Sequence, residues 1–183
     1  MNRTAFALLL TGLSAAITFG AEGPASPAAR TFDQQLTMVE HELVPLAEAM
    51  PADKYNFAPT HGEFKGVRTF GQQISHIAAV MYLVSSSALG EKNPGGADEN
   101  GPASLKTKDD IVKYLKDAIA YSHKAMNALT ESNLLELVRS PFGEDKVPRV
   151  SLATTTVWHT FDHYGQMVVY ARMNGIVPPA SRR

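Results

Sequence analysis

The chain has 183 residues, a formal net charge of −1 and no cysteine. The missing cysteine excludes disulfides, thiolate metal ligands and a cysteine nucleophile, so any thiol chemistry would need a thiol from outside. The near-balance of charge gives no electrostatic case for nucleic acid or anionic lipid, and no nucleic-acid partner is expected.

Residues 1–20 have the layout of a secretory signal peptide. A positive start at Asn2-Arg3 is followed by an apolar run broken only by Thr, Gly and Ser, then by small residues at Gly20 and Ala21. The run is short for a membrane helix, which needs about 20 strongly apolar residues. The expectation is a periplasmic or secreted protein with no integral membrane span after cleavage. The cleavage point stays open between the Gly20 and Ala25 neighbourhoods. Residues 21–30, with Pro24 and Pro27 among small residues, read as a flexible leader. Residues 31–183 then form one domain of ordinary size.

Four helices are expected in that domain. The first covers residues 31–50, where Phe32, Leu36, Val39, Leu43, Leu46 and Met50 fall on one stripe. Pro45 lies inside it and should kink or divide it, because proline lacks the backbone donor. The second covers residues 69–89. Phe70, Ile74, Ile77, Met81, Val84 and Ala88 form one row, with Gln73, His76, Val80 and Leu83 beside it. This helix is apolar over a wide arc and should touch two neighbours, and Gly90 is its expected C-terminal cap.

The third helix covers residues 108–130. It opens on Thr107-Lys108-Asp109-Asp110, a capping-box pattern, and buries Ile111, Leu115, Ala118, Ser122, Ala125 and Leu129. Residues 137–149 could form two short extended pieces around a turn at Pro141-Phe142-Gly143. The fourth helix covers residues 152–174, with Ser151 as N-cap and Gly175 as its stop. Four amphipathic helices and no clean alternation argue for an all-α four-helix bundle with long connecting loops. Such connections permit crossover topologies. An apolar helix face left exposed by the bundle would support a homodimer.

The chemistry-bearing residues are three of the six histidines. His159 and His163 are four apart on the fourth helix, so their imidazoles share a face. His76 lies on the apolar second helix, where an imidazole needs a polar partner. Together they can make a three-nitrogen site for a divalent metal that leaves a coordination position open. His41, His61 and His123 read as surface or structural residues. Asp162 points about 100° away from each neighbouring histidine, and reads as a supporting or surface group. Gln73 and Gln166, one turn from candidate ligands, could orient a bound water. Tyr170 and Trp158 read as packing residues, and Arg172 as a charge suited to the negative helix end.

Four stretches carry a resemblance: residues 50–59 (MPADKYNFAP), 69–78 (TFGQQISHIA), 159–166 (HTFDHYGQ) and 170–179 (YARMNGIVPP). They resemble the DinB-like family of metal-binding four-helix bundles over essentially the whole chain after the leader. The resemblance implies a divalent metal, commonly nickel or zinc, held by His76, His159 and His163. It also implies a metal-dependent transferase that uses a low-molecular-weight thiol. Three neutral ligands equally suit hydrolysis, since they leave the metal its full charge to acidify bound water. The small-molecule substrate is not specified by any residue, and a metal-binding or structural bundle without catalysis is the alternative.

Overall fold

The computed structural model describes residues 25–143 and 145–182. The expected signal peptide and residues 21–24 of the expected leader lie outside the described residues. The architecture is an all-α bundle of α1 (Pro27–Ala49), α2 (Phe70–Leu89), α3 (Lys108–Asn127) and α4 (Arg149–Met173). A small antiparallel hairpin, β1 (Leu137–Arg139) and β2 (Lys146–Pro148), precedes α4 and pairs Val138 with Val147. Among the described residues, no helix is long and apolar enough to cross a membrane.

Three boundaries differ from the expected ones for local reasons. Helix α1 begins at Pro27, inside the stretch read as leader, because Ser26 accepts from the Ala29 amide and proline suits the first helical position. It is neither divided nor ended at Pro45. The carbonyl orphaned by that proline belongs to His41, which is exposed and leaves it open to water, while Leu43, Leu46 and Ala47 are fully buried and hold the segment in place. Helix α3 stops at Asn127, short of Thr130, where Asn133 donates to the Ala128 carbonyl and Ser26 to that of Leu129.

Helix α4 starts at Arg149, before the proposed cap Ser151. The amides of Arg149 and Val150 donate to the carbonyls of Glu136 and Leu134, each at 3.0 Å. The segment leading into β1 thus satisfies the orphan donors that a side-chain cap would have taken. Capping boxes at Thr69/Gln72 and Thr107/Asp110 start α2 and α3, and Gly90 closes α2 at φ 70°.

Packing fixes an unusual order. Helices α1 and α2 each pack against α3 and α4, so the pairs adjacent in sequence, α1/α2 and α3/α4, lie across the bundle diagonals. Lys116 of α3 reaches Glu48, and His123 reaches Asp33, so α1 and α3 are antiparallel. Gly71 approaches Ile111 while Ser85 bonds Ser122, so α2 and α3 are parallel. A parallel neighbour obliges the chain to return along a helix about 30 Å long before α3 can start.

The 90–107 connection makes that return. Gly95 lies flat on Tyr82, where an added Cβ would sit 2.4 Å from the ring, and the Tyr114 hydroxyl donates to its carbonyl at 2.9 Å. The strap arrives at the N-terminal half of α2 with Glu99 and Asn100. Helix α2 is buried on nearly all sides, as its wide apolar arc requires.

Candidate metal centre

Helix α2 carries His76, and α4, antiparallel to it, carries His159 and His163. One ring nitrogen from each lies within 4.8 Å of the others. The ring centroids of His76 are 5.1 Å from His159 and 4.8 Å from His163, and those of His159 and His163 are 4.6 Å apart. His76 is 6% exposed, His163 is 9% exposed and His159 is half-buried.

Two of the three rings have their orientation set by the fold. His76 Nδ1 lies 2.7 Å from the Glu99 carbonyl, an acceptor, so Nδ1 carries the proton and Nε2 keeps its lone pair. His163 Nδ1 meets the Gln73 carboxamide oxygen. The Gln73 amide donates to Gln166 Oε1 at 3.0 Å, and the Gln166 amide donates to Asp162 Oδ2 at 3.2 Å. Each link has a donor and an acceptor in one direction, ending on a carboxylate, so His163 donates from Nδ1 and presents a free Nε2. Gln73 and Gln166, which spacing put one turn from candidate ligands, are hydrogen-bonded in series behind His163. Asp162 is exposed and ends the chain of bonds. His159 has no hydrogen-bond partner among the described residues, and its ring lies steeply inclined to the other two, at 61° to His76 and 66° to His163.

Burial is the main cause that keeps all three neutral. It depresses His159 and His163 to about 4, helped by repulsion within the cluster and by the Arg68 charge, and it also lowers His76. A tetrahedral ion with bonds of about 2.0–2.1 Å holds its nitrogens roughly 3.4 Å apart, so closure by about 1.4 Å or less brings the cluster to ligating distance. The donor set fits a divalent transition metal: neutral imidazoles, two preset tautomers, one ring without another partner, and no carboxylate among them. Calcium and magnesium, which need oxygen ligands, do not suit it.

The depressed values predict how the metal-free protein responds to acid. In the unfolded chain each imidazole takes a proton near pH 6.5, whereas in the folded protein His159 and His163 resist protonation down to about 4. The unfolded state therefore binds more protons in this window, and stability falls as pH drops from about 6.5 towards 4. The contribution is complete above about 6.5. In chelator-treated protein, the midpoint of thermal unfolding should fall across this window. The fall should be shallower after His159→Ala and His163→Ala together; an unchanged slope would refute the assignment.

The remaining residues separate cleanly from the cluster. His41 and His61 are exposed, and His123 joins α3 to α1 through Asp33 at 2.7 Å and Glu40 at 3.3 Å. Tyr170 is buried, packs edge-on against Phe57 and donates to the Arg68 carbonyl at 3.3 Å. Arg172 bonds Ser181. Trp158, read as a packing residue, is instead 56% exposed, with its ring centroid 5.9 Å from that of His159. Sequence reasoning missed Glu99, Asn100 and Arg68. The Glu99 contact is made by a backbone carbonyl and leaves no signal in residue type.

Comparison with known proteins agrees with this architecture. A model of the DinB superfamily matches residues 35–167. No curated protein matches the chain. Among solved structures, a DinB-like protein from Bacillus cereus is similar with a TM-score of 0.66 and 19% identity, covering 82% of this chain and 95% of that one. A DinB-like protein from Bacillus subtilis is similar with a TM-score of 0.63 and 20% identity, covering 84% and 99%.

Proposed function

The chain belongs to the DinB superfamily, and from that membership and the histidine geometry we propose that it binds one divalent metal, nickel or zinc, through His76, His159 and His163. The observation that carries the reading is the convergence of three neutral imidazole nitrogens within 4.8 Å. On this reading the protein is a thiol-dependent transferase or a hydrolase of a small molecule, with His76, His159 and His163 as the residues that would hold the ion. When bound, such a metal lowers the pKa of a coordinated water or thiol, which makes a nucleophile at neutral pH.

The protein's own part is positional. Glu99 and Gln73 fix the two tautomers, and the Asp162–Gln166–Gln73 chain makes His163 more basic towards a cation. Burial keeps protons off the ligands at neutral pH. With no cysteine in the chain, a thiol nucleophile would come from a cosubstrate.

The single tryptophan provides the test. Trp158 adjoins His159, so a Ni2+ or Co2+ ion at the cluster should quench its emission. Titration of untagged protein should give saturable quenching at one ion per chain. Replacing His76, His159 and His163 with alanine together should abolish it. Equal quenching in the triple variant would remove the metal reading.

A further inference from the structure

A cleft that His163, alone of the three imidazoles, helps to line has a volume of about 650 Å3. Its wall includes His163, Gln72, Gln73, Asn100 and Gln166, and Arg68 is the only charged side chain lining it among the described residues. We infer, resting on the metal reading above, that the substrate is a small organic carboxylate whose acid group pairs with the Arg68 guanidinium while its other end reaches the metal.

The guanidinium is already aimed. Nε and Nη2 both donate to Asn100 Oδ1, at 3.2 and 3.1 Å, and Nη2 also reaches Glu99 Oε1 at 3.4 Å. Nη1 has no protein acceptor among the described residues. The strongest partner is thus a neutral amide, which orients the group without cancelling its charge. The one nearby carboxylate, Glu99, is held at the longer distance and has a side chain 64% exposed. Asp162, the other acid near the cluster, is engaged by Gln166.

The charge balance of the site points the same way. Three neutral imidazoles leave a divalent ion its full charge, and Arg68 adds another. Glu99, 3.4 Å from Nη2, offsets part of the Arg68 charge from outside the cleft, whose lining holds no acid of its own, so an anionic guest still gains there where a neutral one does not. A carboxylate can accept from a guanidinium edge in the planar geometry that arginine favours. The backbone behind the arginine is fixed too, because its carbonyl accepts from the buried Tyr170.

The test compares two ligands that differ only in the acid, 3-mercaptopropionate and 2-mercaptoethanol, titrated into full-chain protein loaded with Co2+. The visible Co2+ spectrum reports ligand entry independently of any activity. Wild-type protein should bind 3-mercaptopropionate about tenfold more tightly, the size of one charge-assisted hydrogen bond. In Arg68→Gln this preference should vanish while Co2+ affinity is kept, and Arg68→Lys should restore part of it. Equal binding of both ligands by the wild type, or the same preference in Arg68→Gln, overturns the inference. Failure of Co2+ to bind at all is a separate result, which overturns the metal reading and this inference with it.

Discussion

Replacing His163 with alanine should lower the affinity for Ni2+ or Zn2+ by more than about 100-fold. Changes to groups that only support a ligand cost about 10- to 100-fold, and removing the ligand itself should exceed that range. The substitution also leaves the buried Gln73 carboxamide oxygen without its donor. Gln73→Leu should fall within the lower range, because it keeps all three imidazoles but releases the tautomer and orientation of one. Competition with a chromophoric chelator measures both. Metal affinity within a few-fold of wild type in His163→Ala would mean that the cluster is not the site. Equal losses in the two variants would mean that Gln73 acts on more than His163.

The second large effect concerns the frame that carries His76. Phe70 opens α2, is fully buried and packs edge-on against Tyr55 with ring centroids 5.5 Å apart. Its amide donates to the Phe57 carbonyl at 2.9 Å, which ties the helix start to the preceding loop. Phe70→Ala removes the ring but keeps that amide, so the loss is one of packing. The expected cost is about 3–5 kcal/mol. For a domain of this size that is roughly 6–20 °C in the unfolding midpoint. Met38→Ala, at a side chain 60% exposed on α1, should stay within about 0.5 kcal/mol. Denaturant unfolding of both variants checks the pair; a Phe70→Ala cost below about 1 kcal/mol would contradict the packing described.

The bundle was legible in the sequence because burial on a helix repeats at three and four residues, and Leu36, Val39, Leu43 and Leu46 keep that repeat without a break. The three histidines were legible for the same reason, since spacing alone sets the face of His159 and His163. What stayed hidden depends on contacts between segments far apart in the chain. The start of α4 follows from carbonyls at residues 134 and 136, which no local cap pattern encodes. The exposure of Trp158 follows from which neighbours α4 has, and its size and apolarity pointed the other way. The acceptor for His76 is a peptide carbonyl on the return strap, present at every residue and therefore marked by none. Gln73 could be placed near the histidines by spacing, but only packing of α2 on α4 shows that it grips one of them.

The diagonal placement of consecutive helices has a consequence for how the molecule is made. A bundle of antiparallel hairpins can build itself from local pairs, each stabilised as soon as its two helices exist. Here α1 cannot rest on α2, nor α3 on α4, and the pairing of α2 with α3 waits for a long strap to be laid down. Such non-local closure slows folding relative to other helical proteins. The imidazoles of α2 and α4 meet only when the final helix docks, so a nascent chain lacking α4 has no cluster to offer a cation.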